Sequence, residues 1–312
     1  MKVVNIVNEI KSSWDILKIT NNYESHTIEK GHPEIKIAII DSGVDYDHPG
    51  LKNNINNIIN LVEDESYEDF TGHGTMVSGQ IIGSDILKGV VPNCHIDIIK
   101  VLDCNNKSTF ERLIKALEYV YTNNYNIVNM SLGLSIKNKN MDEIKYPLEL
   151  LKKMNQANIM CVNPVSYDTP VEWHFPSVSK HTFTVQSLSK NYGIVNSKMV
   201  SEFALPSGDF LCTSKEYYNE LIPVHYPLSK SKQLKQMFGS EYKLPLGYAY
   251  YMGESLASAK LSGIIAAILS RNLRINNTNL SVNEVKKLLR THSKNFDGRY
   301  CPQLTQILKS IN

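Results

Sequence analysis

Three residues of this chain have the types and the order that acyl transfer requires. Asp41 follows the apolar run 35–40, His73 lies between two glycines, and Ser255 stands at the start of an apolar helical segment. A serine hydroxyl is a weak nucleophile at neutral pH and needs an imidazole to take its proton. The imidazole needs a carboxylate that fixes its tautomer and stabilises its charged form. The pattern therefore predicts a Ser-His-Asp triad that works through an acyl-enzyme.

The elements that must position these residues alternate along the chain. Short apolar runs predict strands at 35–40, 96–102, 127–130, 159–162 and 182–186. Longer segments predict helices at 75–83, 109–121, 148–156, 256–270 and 282–289, with another around 7–19. This alternation predicts an α/β fold, a doubly wound and mostly parallel sheet with helices on both faces. Ligands of such sheets bind beyond the carboxyl ends of the strands, where Asp41 is expected.

Composition excludes several classes of protein. The chain has 312 residues, 42% of them hydrophobic and 21% charged, with a net charge of +2. A disordered or fibrous chain is excluded by these values. The balanced charge gives no electrostatic reason to expect nucleic acid or a membrane surface as partner. No apolar run approaches the roughly 20 residues of a membrane span. We expect a single catalytic domain over 1–312, with 1–34 as an N-terminal extension.

The cysteines and the first residues indicate a cytoplasmic protein. The number of cysteines is odd, their spacing is wide, and no Cys-x-x-Cys pair occurs: they are Cys94, Cys104, Cys161, Cys212 and Cys301. This pattern is typical of reduced thiols rather than a disulfide framework or zinc site. The first residues lack the apolar segment of a signal peptide. We therefore expect a cytoplasmic location, and we expect neither a metal nor another cofactor.

Further motifs accompany the triad residues in a fixed order. The chain contains Asp-Tyr-Asp-His-Pro-Gly-Leu at 45–51, Gly-His-Gly-Thr-Met-Val-Ser-Gly at 72–79 and Ile-Val-Asn-Met-Ser-Leu-Gly at 127–133. With Gly-Glu-Ser-Leu-Ala-Ser at 253–258, these motifs resemble the subtilisin-like serine proteases, the subtilase family. The resemblance implies that Asp41 orients the base, His73 is the general base and acid, and Ser255 is the nucleophile. The substrate backbone would pair as an added strand with Ser131, Leu132 and Gly133.

The oxyanion position departs from the family pattern. The family places an asparagine in an Ala-Ala-Gly-Asn turn, whereas this chain has Cys-Val-Asn-Pro-Val-Ser at 161–166. Asn163 is the candidate, although alignment by the preceding strand places it about two residues early. It could equally be an ordinary turn residue before proline. Both interpretations stay open at this stage.

Two other departures concern charge. Glu254 precedes Ser255 where the family usually has threonine. A carboxylate there would oppose an oxyanion if it pointed inward, so an outward orientation, favoured by the helix N-terminus, is the simpler expectation. The loop after the histidine motif, 83–89, offers only Asp85, and one carboxylate is too few ligands for calcium. We therefore expect the strong calcium site of secreted relatives to be absent.

The length before Asp41 narrows the expected branch of the family. Only 40 residues precede Asp41, so we expect neither a signal peptide nor a folding prodomain there. The resemblance therefore indicates a cytoplasmic branch, such as the peptidases that remove the leader from a lanthipeptide (lantibiotic) precursor. The first hypothesis is a serine endopeptidase of narrow specificity acting on a peptide or precursor-protein substrate. The alternatives are a general intracellular subtilase and a catalytically impaired subtilase fold that binds peptides.

Segment 212–250 differs from the rest in composition. It is rich in Tyr, Lys, Leu and Pro and shows no clear period. We expect an insertion loop there, which could shape the cleft or simply pack on itself. The basic run 230–235 is expected to be a solvated face, with recognition of an acidic leader as the alternative.

Overall fold

Thirteen strands lie in the part of the chain that the computed structural model describes, residues 10, 13–166, 173–195, 200–213 and 216–312. They are β1 (Lys36–Asp41), β2 (Ile55–Asn60), β3 (His95–Lys100), β4 (Ile127–Asn129), β5 (Leu134–Ser135), β6 (Met160–Pro164), β7 (His174–Phe175), β8 (Phe183–Leu188), β9 (Phe203–Pro206), β10 (Ile222–His225), β11 (Tyr248–Tyr251), β12 (Ser293–Phe296) and β13 (Arg299–Pro302). Nine form one sheet in the order β12-β13-β9-β8-β6-β4-β1-β3-β2. Its neighbours are parallel except β12, which is antiparallel to β13.

Helices cover both faces of this sheet. They are α1 (Trp14–Thr20), α2 (Glu24–Ile28), α3 (His73–Ile82), α4 (Phe110–Thr122), α5 (Met141–Gln156), α6 (Tyr217–Glu220), α7 (Leu228–Phe238), α8 (Glu254–Asn276), α9 (Val282–Thr291) and α10 (Leu304–Ser310), with short 3₁₀ helices at Lys52–Asn54 and Gly239–Glu241. One hydrophobic core joins α1, α3, α8, α9 and α10 to the sheet. A second core joins α4 and α5 to its other face. The predicted α/β architecture is confirmed.

Helix α8 is the central helix of the larger core. Nearly all of its first 17 residues are buried, because apolar and small residues surround the helix on every side. It packs on α3 and on β4, β6, β8 and β9, so its N-terminus is fixed near the carboxyl ends of these strands. The predicted segment 256–270 lies within it. Among the described residues, no helix combines the length and apolar character needed to cross a bilayer.

The described part of segment 1–34 belongs to the folded body. Ile16 and Ile19 of α1 are buried in the larger core. Asp15 forms an ion pair of 2.6 Å with Lys260 of α8, and both side chains are buried. The predicted helix at 7–19 is represented by α1, while 7–9 and 11–12 lie outside the described residues. This part of the segment is therefore integrated with α8 rather than appended to the domain.

The described part of segment 212–250 is folded, which corrects the prediction of a loop. Strands β10 and β11 pair in antiparallel fashion from Ile222 with Tyr251 to His225 with Tyr248, and α6 and α7 flank β10. Ile222, Val224 and Ala249 form a small core with Met76 of α3 and Leu256 of α8. The segment therefore packs directly against both helices that carry candidate catalytic residues. Its basic run lies on α7, with lysines exposed at 232 and 235.

Candidate active site

The structure brings Asp41, His73 and Ser255 together at the carboxyl edge of the sheet. Asp41 is the last residue of β1, His73 the first of α3, and Ser255 the second of α8. His73 Nδ1 lies 2.7 Å from Asp41 Oδ1, and His73 Nε2 lies 2.9 Å from Ser255 Oγ. One ring nitrogen therefore faces a buried carboxylate and the other faces a hydroxyl. This is the geometry in which an imidazole can take a proton from serine.

Close backbone contact fixes the position of His73. A Cβ at Gly74 would lie 2.0 Å from the carbonyl oxygen of Gly43, which follows Asp41 by two residues. Only glycine therefore permits the first turn of α3 to approach the end of β1 this closely. Asp41 is fully buried, and its Oδ1 also accepts the backbone N–H of Ser42 at 2.8 Å. The sequence motif around His73 thus has a direct steric explanation.

A second carboxylate, Asp69, supports the same turn and was missed by the sequence analysis. Its Oδ1 accepts the Ser42 hydroxyl and the Gly72 backbone N–H, both at 2.8 Å. Its Oδ2 accepts the backbone N–H and the hydroxyl of Thr75 at 2.8 and 2.6 Å. Asp69 therefore satisfies orphan donors at the start of α3. Its place four residues before His73, ahead of a helix, is the signal that could have identified it.

The neighbouring carboxylates set the protonation of His73. Burial acts to lower the pKa of His73, but the charge and hydrogen bond of Asp41, with the charge of Asp69, more than offset it. The net result is a pKa raised above the ordinary value of 6.5. A carboxylate on Nδ1 also leaves Nε2 as the acceptor toward Ser255. The site thus favours an imidazole that holds a proton firmly once it has received one.

The predicted substrate edge adjoins Ser255. The Ser131 hydroxyl lies 3.1 Å from the Ser255 carbonyl oxygen and 2.8 Å from Asn129 Oδ1. Asn129 Nδ2 in turn donates to Ser258 and Ser262 of α8 at 3.0 and 2.9 Å. This network ties the end of β4 to the first turns of α8. Leu132 and Gly133 follow directly, with Leu132 buried and Gly133 exposed.

The structure does not bring Asn163 to the triad. Asn163 lies within β6 and is fully buried. Its amide nitrogen donates to the Pro164 carbonyl at 3.1 Å and to the Ser177 hydroxyl at 3.0 Å. The donor is therefore engaged inside the fold, and this arrangement gives no support to the predicted oxyanion role. The downstream residues 167–172 lie outside those described.

Glu254 is buried, which corrects the expectation that it points outward. It is 8% exposed, and neither carboxylate oxygen makes a regular hydrogen bond. Burial raises the pKa of Glu254 to about 8, with the Ser187 backbone lowering it slightly and Asp209 raising it. The carboxyl is consequently mostly protonated at pH 7. An uncharged group beside Ser255 does not oppose a developing oxyanion as a carboxylate would.

A cluster of two histidines and one aspartate lies beside α3. The potential ligand atoms of His48, Asp85 and His225 are all within 4.8 Å of one another. They are engaged in hydrogen bonds, since His48 Nε2 lies 2.7 Å from the Gly247 carbonyl and His225 Nε2 lies 3.1 Å from Asp85 Oδ1. The Asp85 carboxylate also accepts the Tyr248 hydroxyl. We interpret the cluster as a set of hydrogen bonds that holds the β10–β11 pair to the loop after α3.

Comparison with known families identifies the class of protein. The family model described as "Subtilase family" matches residues 32–303. The match covers most of the chain, and it accompanies a triad arrangement and a fold typical of that family. The chain belongs to the subtilase family, whose members are serine proteases.

Individual relatives add detail. The chain is 27% identical over 296 residues to the epidermin leader peptide-processing serine protease of Staphylococcus epidermidis, an alignment covering 81% of this chain and 63% of that relative. It is 33% identical over 136 residues to the major intracellular serine protease of Bacillus subtilis, covering 41% and 42%. The chain thus spans somewhat less than two thirds of the epidermin protease.

Solved structures share the complete fold. A crystal structure of a lanthipeptide protease superposes with a TM-score of 0.85 and 25% identity, covering 98% of this chain and 97% of that chain. The nisin leader peptidase of Lactococcus lactis superposes with a TM-score of 0.79 and 19% identity, covering 96% and 94%. The second likeness concerns the fold alone.

Proposed function

We propose that this protein is a serine endopeptidase of narrow specificity that removes the leader peptide from a lanthipeptide precursor. The observation that carries the catalytic part is the single line of contacts from Asp41 through His73 to Ser255, at 2.7 and 2.9 Å. The leader-peptidase part rests on similarity that extends over nearly the whole chain to a lanthipeptide protease. At the level of sequence, the match to the epidermin leader peptide-processing protease covers 81% of this chain, whereas the match to the major intracellular serine protease of Bacillus subtilis covers 41%.

The proposed roles follow from the geometry. Ser255 Oγ attacks the scissile carbonyl while His73 Nε2 takes its proton, and Asp41 stabilises the resulting imidazolium. The Ser255 backbone N–H lies in the first turn of α8, where the helix offers no acceptor, and it is suited to donate to the oxyanion. His73 then gives its proton to the leaving amine, and an acyl-enzyme forms. Water attacks the acyl-enzyme through the same imidazole.

Ser131, Leu132 and Gly133 are proposed to hold the backbone of the acyl portion of the substrate. They follow β4 directly, and the Ser131 hydroxyl contacts the backbone of the nucleophile at 3.1 Å. A strand added at this edge would place its carbonyl near Ser255. No cofactor is required by this chemistry.

A cytoplasmic site of action is part of the proposal. All five cysteines are free thiols, and Cys94, Cys161 and Cys301 are buried. Free buried thiols suit a reducing compartment. Fractionation of producing cells with an antibody to this protein tests the location, and recovery from the medium alone would contradict it.

A fluorophosphonate probe tests the catalytic proposal. The purified wild type is expected to be labelled, and Ser255→Ala and His73→Ala are expected to lose labelling. Ser66→Ala removes an exposed serine and serves as the matched control, with labelling unchanged. Absence of labelling in a folded wild type would contradict catalysis and favour the peptide-binding alternative.

The substrate class is tested with two proteins side by side. Mass spectrometry should show one cut at the leader–core junction of a lanthipeptide precursor and little digestion of casein. Rapid casein digestion without junction cleavage would favour the general intracellular subtilase instead.

A further inference from the structure

Exposed apolar side chains are concentrated next to the candidate active site. Of the fifteen large hydrophobic side chains that are exposed among the described residues, eight lie between Leu211 and Tyr251. That segment is a small part of the chain, so the concentration is local. Tyr218 is 80% exposed and Phe238 is 51% exposed. Large patches of exposed apolar side chains mark interaction sites.

Two adjoining cavities give this surface the form of a groove. The larger, about 810 Å³, lies between the N-terminal segment and the folded segment 217–250, and Trp14, Tyr218 and Phe238 line it. The smaller, about 380 Å³, reaches Ser255. Leu221 and Tyr250 line both cavities. We call the combined feature the aromatic groove, and each of its two cavities has the volume of a typical ligand pocket.

The walls of the aromatic groove are anchored in the fold. The Trp14 indole N–H donates to the Leu221 carbonyl at 3.3 Å, which joins the N-terminal segment to β10. Tyr250 belongs to β11, whose partner β10 packs on α3. Trp14 and Tyr250 are thus held in place by the fold. Preorganised aromatic anchors are the residue type that contributes most to peptide affinity.

The groove approaches Ser255 from the side opposite the proposed acyl-binding edge. Neither cavity is lined by 131–133, which follow β4. The smaller cavity is instead lined by Phe210, just after β9, and by the end of β11. Strands β4 and β9 are separated in the sheet by β6 and β8. A substrate chain held at 131–133 and passing Ser255 therefore enters the groove with its leaving-group portion.

We propose that the aromatic groove binds an apolar segment of the substrate that lies C-terminal to the cleaved bond. This assignment rests on the proposed function, and for a leader peptidase the segment belongs to the released core peptide. The occupant is a polypeptide with large apolar side chains, since aromatic and aliphatic side chains such as Trp14, Leu234 and Phe238 line the groove, together with the charged residues Lys190, Glu241 and Lys243. Binding away from the reacting bond can raise kcat/KM for the correct substrate.

The test compares two substrates that differ only beyond the cut. A peptide library digested by the wild type supplies a cleaved sequence, which is then made in a short form and in a form extended by its natural C-terminal apolar segment. Phe238→Ala and Tyr218→Ala are expected to lower kcat/KM for the extended peptide about tenfold. The same variants should leave the short peptide unchanged. Tyr218→Phe should keep the wild-type kcat/KM for the extended peptide.

Tyr146→Ala is the matched control, because Tyr146 is 50% exposed but lies on α5 at the other face of the sheet. Fluorophosphonate labelling of each variant confirms a folded and active serine. Equal losses on both peptides, or no loss on either, would overturn the groove proposal. The wild type could fail to cleave lanthipeptide precursors while the groove variants lose kcat/KM only for the extended peptide. In that case the leader-peptidase proposal fails and the groove proposal stands.

Discussion

The buried ion pair between Asp15 and Lys260 makes a strong prediction about stability. Lys260 Nζ lies 2.6 Å from Asp15 Oδ2, 2.9 Å from the Pro206 carbonyl and 3.3 Å from the Ser207 hydroxyl. Lys260 follows Ser255 by five residues on α8, so the pair links the N-terminal segment to the helix of the nucleophile. The perturbation removes one partner at a time, with Lys260→Met or Asp15→Asn, in a Ser255→Ala background that prevents autolysis.

The size of the expected loss in stability depends on the charged group that each substitution leaves buried. A buried charge without its partner typically costs 3–5 kcal/mol. In Lys260→Met the buried Asp15 carboxylate is left without its cationic partner. In Asp15→Asn, Lys260 can lose its proton at a cost of about 5 kcal/mol at pH 7. Burial already lowers the pKa of Lys260, although Asp15 opposes that effect. Each variant should therefore lose about 3–5 kcal/mol of unfolding free energy.

The Asp15→Asn variant should respond to pH. Deprotonating Lys260 becomes easier as pH rises, so the loss in Asp15→Asn should shrink by about 1.4 kcal/mol per pH unit from pH 7 toward pH 9. Urea denaturation followed by tryptophan fluorescence measures these differences, and Trp14 adjoins the perturbed residue.

The double variant Asp15→Leu/Lys260→Met supplies the control. It removes both charges, so its loss should be smaller than either single loss and nearly independent of pH. What it retains is the cost of leaving the Pro206 carbonyl without a donor, about 1–3 kcal/mol. Single variants with losses below 1 kcal/mol, or an Asp15→Asn loss that does not shrink as pH rises, would refute the reasoning that a buried ion pair holds the N-terminal segment to α8.

Three other predictions follow from the site. As pH falls, the kcat/KM of the enzyme should decrease with a midpoint above pH 6.5, because neighbouring carboxylates raise the pKa of His73. A midpoint below pH 6.5 in a pH-rate profile would contradict this. In the Ser255→Ala parent, the folded state keeps a proton on Glu254 that the unfolded state releases. The stability advantage of adding Glu254→Gln to this parent should therefore grow by about 1.4 kcal/mol for each pH unit from 4.5 to about 8. Urea titrations at pH 5 and pH 8 that give the same difference would show that the Glu254 pKa is not raised. Gly79→Ala should cost about 1–3 kcal/mol, since its Cβ would lie 2.2 Å from His225 Nδ1, and thermal unfolding indistinguishable from wild type would contradict that packing.

The features predicted well from the sequence are those encoded in short stretches. An apolar run ending in Asp41 predicts a buried strand with a carboxylate at its end, and the structure has β1 there. Ser255 before an apolar segment predicts a helix N-terminus, and α8 begins at Glu254. Each of these patterns depends on neighbours within a few residues, so local periodicity carries the information. The proximity of the three residues came from motif order and from the rule for parallel sheets.

The features missed depend on contacts between distant parts of the chain. Asp15 and Lys260 are charged residues that look like surface positions when each is considered alone, and only their meeting makes burial tolerable. Strands β10 and β11 are more than 20 residues apart and pair only because α3 and α8 offer them an apolar surface. Asn163 was selected by residue type, but its hydrogen bonds to Pro164 and Ser177 are set by the packing of β6.

Glu254 shows how a departure from a family motif can be compatible with the family's chemistry. At this position an ionised carboxylate would oppose the negative charge that forms on the tetrahedral intermediate. Burial with little hydrogen bonding raises the pKa of Glu254 to about 8, so the group is mostly neutral at pH 7. Asp41 and Asp69 raise the pKa of His73, and burial raises that of Glu254. A glutamic acid that keeps its proton at pH 7 adds no charge beside Ser255, so the cost of the buried carboxyl falls on stability rather than on the reaction.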